Sequence, residues 1–133
     1  MLEAVVAIVT MGTKVLFIRR GPSVPNAGYW APLSGKIEAG EDQASAVIRE
    51  VREEAGLVVK PLRKVWESRS TSGTHRLYWW LAEWVGGELT LDPREVSEAR
   101  WLSVPEILCL EKTFENDREF FEKVLPPLGE RWT

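Results

Sequence analysis

Gly35-Lys36-Ile37-Glu38-Ala39-Gly40-Glu41-Asp42-Gln43-Ala44-Ser45-Ala46-Val47-Ile48-Arg49-Glu50-Val51-Arg52-Glu53-Glu54-Ala55-Gly56-Leu57 is the stretch on which the fold turns. From Gln43 to Ala55 its apolar residues recur with a helical period, and Ala44, Val47, Ile48, Val51 and Ala55 fall on one face. Gly56 stands where a helix-terminating glycine belongs. The same helix has a second face. Glu50, Glu53 and Glu54 are spaced i, i+3 and i+4, so their carboxylates project within a sector of about 100° of the wheel. Like charges placed this way repel by roughly a few tenths of a kcal/mol per pair even when exposed. A cation among them removes that penalty, and hard divalent ions, Mg²⁺ above all, take several oxygen ligands. The other account of the cluster is a solvated acidic face partly balanced by Arg49 and Arg52.

The spacing around the helix separates the two accounts. Gly35, five residues to Glu41, seven more to Arg49-Glu50-Val51, then Glu53-Glu54, Gly56 and Leu57 match the signature G-x5-E-x7-R-E-U-x-E-E-x-G-U, with U a bulky aliphatic residue. Every specified position agrees, so the chain resembles the Nudix hydrolase family, and the likeness in layout extends over nearly its whole length. That resemblance implies an α/β (α+β) fold, an α/β/α sandwich around a mixed β-sheet, with a loop–helix–loop that holds metal. It implies Glu50, Glu53 and Glu54 as metal ligands, one of which also helps deprotonate water. Arg49 is expected to aim Glu53 at the ion from i, i+4, and Glu41 to close the network from the loop. Gly35 and Gly40 let the loop fold back over the helix, and Gly35 is also expected against the substrate. The carbonyl of Ser34, where the family usually has glycine, is a further expected ligand.

The family's acidic stretch ahead of an aromatic strand is similar to Glu95-Val96-Ser97-Glu98-Ala99-Arg100-Trp101-Leu102. It makes Glu98 the expected fourth acidic ligand or base, with Glu95 the alternative. Thr113-Phe114-Glu115-Asn116-Asp117 resembles the segment with which the branch that removes oxidised purine nucleotides grips a base. On that likeness Phe114 stacks, while Asn116 and Asp117 bond the base edge. The other reading makes Asn116 or Asp117 a helix N-cap. Arg19 and Arg20 close a strand and are expected either against phosphate or ribose or as a charged strand end.

The resemblance implies a Mg²⁺-dependent hydrolase, with Mn²⁺ as substitute, that cleaves a phosphoanhydride bond in a nucleoside diphosphate derivative. A nucleoside triphosphate pyrophosphohydrolase of MutT type leads. A dinucleoside polyphosphate, ADP-ribose or nucleotide-sugar hydrolase is the alternative, and a non-catalytic nucleotide sensor a third reading. Positioning and charge neutralisation carry such a reaction, since a diphosphate repels its nucleophile.

The flanking sequence supplies the rest of the sandwich. Ala4–Val9 reads as a buried strand, Met11-Gly12-Thr13 as a turn, and Lys14–Arg20 as the returning strand of a hairpin. Gly21–Gly28 reads as a loop, Tyr29–Leu33 as a short apolar stretch, and the segment around Gly35 and Gly40 as turns. Leu57–Ser70 is expected as a long strand with Pro61 near an edge, and Leu77–Val85 as an aromatic strand after the turn Ser72-Gly73-Thr74. In that strand Tyr78, Trp80 and Trp84 alternate with Leu77, Trp79 and Leu81, and the sequence leaves open which set faces a cleft. Ala99–Leu102 closes as a short strand. Ser103 and Glu106 form a capping box for a helix through Leu110, and a last helix, about Asp117 to Val124, stops at Pro126-Pro127.

Composition excludes several classes. The 133 residues, with 44% hydrophobic and 28% charged, are expected as one soluble domain over 1–133. A formal charge of −3 is not the footprint of a duplex-binding protein, so the expected partner is a small nucleotide. The apolar run Ala4–Val9 is too short to span a bilayer. A single Cys109 excludes an internal disulfide and suits a reducing cytoplasm, with the chain a monomer or homodimer. With only His75 and Cys109 available, no Ser-His-Asp or Cys-His nucleophile is credible, and His75, beside a turn, reads as a surface residue.

Overall fold

The computed structural model describes residues 1–125. The helix stop expected at Pro126-Pro127 lies outside them. Seven strands form one mixed sheet: β1 (Leu2–Met11), β2 (Lys14–Arg20), β3 (Trp30–Ala31), β4 (Leu33–Lys36), β5 (Leu57–Arg69), β6 (His75–Gly87) and β7 (Val96–Leu102). Helix α1 (Gln43–Ala55) follows β4, α2 (Val104–Leu108) follows β7, and α3 (Glu115–Glu119) runs on into a wider helical turn over Phe120–Val124.

β1 is the axis because it is buried on both faces, which is why it reads as an unbroken apolar run. Val5, Ala7 and Val9 pack with Ala46, Val47, Val51 and Ala55 of α1. Val6 and Ile8 point the other way and pack with Phe17, Trp79, Ile107, Phe120 and Phe121. The result is the expected sandwich, with α1 on one face of the sheet and α2 and α3 on the other. Trp79 is the centre of the second layer, stacked on Phe120 at 4.8 Å and tilted against Trp66 at 5.1 Å.

Three sequence expectations change. The β1–β2 hairpin is paired only beside its turn, at Thr10↔Val15 and Met11↔Lys14. Beyond that, β1 runs parallel to β6 from Leu2↔His75 to Thr10↔Glu83, while β2 pairs with β7. The segment around Gly35, expected as turn, lies in a strand that runs antiparallel to β1 from Ala4↔Lys36 to Ala7↔Leu33. Its small residues gave no strand signal, and the neighbouring strand supplied the pairing. Helix α1 is also rotated from its apolar periodicity. Ala46 is buried, Ile48 is 40% exposed, and the buried stripe is Ala46, Val47, Val51 and Ala55. The caps are local and follow the residues: Asp42 accepts from Ser45 N–H at 2.8 Å, Gly56 adopts φ +73°, and the Ser103–Glu106 box is formed.

Candidate active site

The rotation of α1 turns the row Ala46, Glu50, Glu54 inward beside the row Val47, Val51, Ala55, and leaves Ile48 and Arg52 to solvent. Two carboxylates are therefore held where an amphipathic helix would place apolar groups. The Glu54 carboxyl is pushed up to about 8, first by desolvation, then by the charge of Glu50 and a hydrogen bond to it, and further by Glu95, with Arg20 opposing. Glu53 sits on the rim, with 59% of its side chain exposed.

Gly35 explains how Glu50 fits. A Cβ at that position would land within the Glu50 carboxylate, so glycine leaves the carboxylate its place under β4 and a larger residue would displace it. Arg49 gathers the remaining charges. Its Nε and Nη2 donate to the two oxygens of Glu41 at 2.8 and 2.9 Å, a bidentate pair. Nη1 donates to Glu50 at 2.8 Å and to Glu53 at 3.2 Å, and Nη2 also reaches the Lys36 carbonyl at 2.8 Å. The guanidinium hydrogen bonds, with the Glu38 N–H, hold the Glu41 carboxyl down at about 2, and Glu41 with Glu50 raises Arg49 further. Arg49 thus ties the loop before the helix to two of its three glutamates.

Among the described residues no three carboxylates converge into a finished cage. Glu50 and Glu53 lean on Arg49, and Glu54 leans on Glu50. The donor set nevertheless fits a hard divalent ion. It is all oxygen, includes a half-buried carboxyl whose pKa is raised by burial and by its acidic neighbours, and has the main chain of Ser34 at the adjoining strand.

The structure brings Glu95 toward this centre and sets Glu98 apart. Gly21 N–H donates to the Glu95 carbonyl at 2.7 Å, and Ser23 N–H to the Arg94 carbonyl at 3.0 Å. These bonds pin the 92–95 turn to the end of β2, and the charge of Glu95 is felt by Glu54. Glu98 pairs across the sheet with Arg19, on the face of Phe17 and Arg100 and opposite α1, and its carboxylate is held by Arg100 Nε at 2.5 Å. Arg19 shares that position, is exposed, and does not line the cleft. Its neighbour Arg20, beyond a bulge, does, and donates to the Pro25 carbonyl at 2.6 Å.

A cleft of about 1020 Å³ opens on the other face of the sheet. Ala4, Val6, Ser34, Lys36 and Leu77 line it from the strands, Gly35 and Arg20 from the glutamate side, and Phe114, Asn116 and Asp117 from the start of α3. Among the described residues no tryptophan lines it. Phe114 is the N-cap residue of α3 and packs its ring on Tyr29 at 5.1 Å, so neither Asn116 nor Asp117 is the cap. Asn116 Nδ2 donates to the Arg69 carbonyl at 2.8 Å. Asp117 is buried, and desolvation pushes its carboxyl up to about 8. Sequence reading passed over Lys36, inside the unspecified part of the signature, and placed His75 on the surface; both line the cleft.

Comparison with known proteins agrees with this arrangement. The NUDIX domain family matches residues 1–124. The NAD-capped RNA hydrolase NudC of Pseudomonas aeruginosa is 34% identical over 101 residues, 76% of this chain and 36% of that protein. The chain thus spans little more than a third of the length of the curated relatives it matches. Among solved structures, a MutT protein from Methanosarcina mazei superposes with a TM-score of 0.81 at 25% identity, covering 96% of this chain and 94% of that one. The E. coli ORF135 protein superposes at 0.74 with 27% identity, covering 99% and 94%. The signature residues, the sandwich that presents them and these matches place the chain in the Nudix hydrolase family.

Proposed function

We propose that this Nudix hydrolase is a nucleoside triphosphate pyrophosphohydrolase that needs a divalent ion, Mg²⁺ or in its place Mn²⁺. The observation that carries the reading is Asp117: a buried carboxyl lining the cleft beside the Phe114 ring and protonated at neutral pH. A neutral carboxylic acid offers one donor and one acceptor to a base edge, while the ring supplies a stacking face. At the other end Glu50, Glu53, Glu54 and Glu95, with the Ser34 carbonyl, would hold the ion. When bound, such an ion neutralises phosphate oxygens and makes a water more acidic. Arg20 and Lys36 line the cleft, the charge of Arg20 also reaching Glu54, and they carry the charge to orient phosphates, the part once expected of Arg19. Arg49 and Glu41 position the glutamates. A small-nucleotide substrate is supported by a cleft with an apolar floor that also carries Arg20 and Lys36.

The test is phosphate and pyrophosphate release from a panel of nucleoside triphosphates, with Mg²⁺ and with chelator. Asp117→Asn, which keeps a donor and an acceptor, should retain turnover on the preferred base, and Asp117→Ala should flatten the preference. Turnover that ignores the base in the wild type overturns the reading. A second reading has its own support. The relatives are named NAD-capped RNA hydrolases, and a 1020 Å³ cleft is large for a mononucleotide. NAD and a NAD-capped oligonucleotide therefore belong in the panel, and faster cleavage of either would move the substrate to a dinucleotide.

A further inference from the structure

The wall beside Phe114 and Asp117 is the β5–β6 turn, and it is built from hydroxyls around the chain's one histidine. Ser70, Thr71, Ser72 and His75 all line the cleft. Ser70 Oγ lies 3.2 Å from Ser72 Oγ, Ser72 Oγ lies 2.8 Å from Thr74 Oγ1, and Thr74 Oγ1 lies 2.9 Å from His75 Nδ1. The His75 N–H closes the chain by donating to Ser70 Oγ at 3.1 Å. The ring is half-buried, and sheet alternation puts it on the face of Leu77, at the open end of the cleft floor. Among the described residues Nδ1 alone is engaged, which leaves Nε2 for whatever enters.

A chain of hydroxyls ending on an imidazole can run its protons in either direction. If Thr74 donates to Nδ1, Nε2 carries the hydrogen and donates; if Nδ1 donates to Thr74, Nε2 accepts. Such a group matches a partner that is itself both donor and acceptor, which is a hydroxyl. The rest of the cleft lining has different chemistry: the ring and buried acid of Phe114 and Asp117, and the cations Arg20 and Lys36. The Asn116 Nδ2 bond to the Arg69 carbonyl, 2.8 Å, fixes this turn against the start of α3, so the two walls adjoin.

The geometry points to the β5–β6 turn as the sugar subsite of the cleft, with His75 Nε2 bonding a ribose hydroxyl and Thr74 as the residue that positions the ring. This deepens the nucleotide-hydrolase reading of the same cleft and rests on it. His75 is a specificity residue here, outside the reacting atoms.

One histidine gives one imidazole set of proton resonances, so an untagged chain reports the site by NMR without turnover. Ribose, 2′-deoxyribose and 3′-deoxyribose nucleoside monophosphates are the probes. The expected result is a saturable shift of the His75 ring protons with the ribose form, and binding about 3- to 10-fold weaker when the contacted hydroxyl is missing. Thr74→Val, which keeps the imidazole, should narrow that ratio, whereas a merely structural turn would weaken all three ligands alike. A ring that does not respond, or equal affinity for all three sugars, overturns the subsite. A parallel phosphate-release assay on nucleoside triphosphates keeps the two readings apart. Turnover with a silent His75 sinks the subsite alone. A sugar-dependent His75 shift without turnover sinks the pyrophosphohydrolase reading and upholds the subsite.

Discussion

At the scale of single residues, the site is a set of charges whose positions are decided by one guanidinium and one missing side chain. Arg49 holds Glu41, Glu50 and Glu53 within 3.2 Å, and Gly35 leaves the space that the Glu50 carboxylate occupies. Gly35→Ala should therefore displace Glu50 and lower turnover at saturating Mg²⁺, with far-UV circular dichroism unchanged. Glu41→Gln, which acts through Arg49, should cost roughly 10- to 100-fold in activity, the usual range for partners behind a metal ligand. Glu53→Gln should cost at least that much, with its melting temperature near wild type because the side chain is exposed. Near-native turnover in Glu53→Gln would remove the glutamates from the reaction. Kinetics also separate the two outer acids. Glu95→Gln should lower turnover, and Glu98→Gln, on the opposite face of the sheet and paired with Arg100, should stay within about 2-fold of wild type. The reverse result would return the fourth acidic role to Glu98.

At the scale of elements, α1 compromises between packing and chemistry. Its apolar periodicity would bury Ile48, yet Ile48 is 40% exposed while Glu50 and Glu54 turn inward. Conflict of this kind between local pattern and global placement is expected where a site is built. Urea unfolding should show Val51→Ala losing about 2 kcal/mol, from lost burial and a cavity, and Ile48→Gln losing less than about 0.5 kcal/mol. Equal losses would mean that the helix packs by its periodicity after all. Helix α3 makes a comparable compromise by burying Asp117. Its folded-state pKa, about 8, lies above the ordinary carboxylate value of 3.8, so the native state holds a proton that the unfolded chain releases. The stability tied to that proton is full below about pH 4 and is lost as pH rises through about 8. Metal-free melts from pH 5 to 9 should show a steeper decline in wild type than in Asp117→Asn. Parallel curves would mean that Asp117 is ionised in the folded protein.

At the scale of the whole molecule, the sheet separates two chemistries and joins them at one strand. β4 carries Gly35 against the acidic helix on one face and Ser34 and Lys36 into the cleft on the other. Strand alternation does this in three consecutive residues. No helix among the described residues is long and apolar enough to cross a membrane. A divalent ion binding only the folded chain should raise its stability by about 2.7 kcal/mol at one hundred times the dissociation constant. The gain should grow as pH rises toward 8, because Glu54 must release its proton to become a ligand. A metal-induced rise in melting temperature that is flat from pH 6 to 8.5 would exclude Glu54 from the ligand set.

What the residues determine by themselves is local. Helix α1 with its glycine stop, the capping box at Ser103 and Glu106, the long β5 and β6 around the Ser72-Gly73-Thr74 turn, and the acidic signature all follow from contacts a few positions apart. Spacing along the chain specifies such contacts directly. The tertiary structure decided the rest, because the deciding partner is distant in sequence. The strand at Leu33–Lys36 exists through β1, and the parallel pairing of β1 and β6 closes a separation of more than sixty residues. Whether Glu95 or Glu98 faces the helix depends on the register of β7 against β2. His75 became visible as a cleft residue only when β6 was brought beside the start of α3, where Asp117 had been expected to meet a base. A one-residue change of register or a modest rotation of a helix moves a side chain to the other face, and that is settled by packing the two layers together rather than by any local preference.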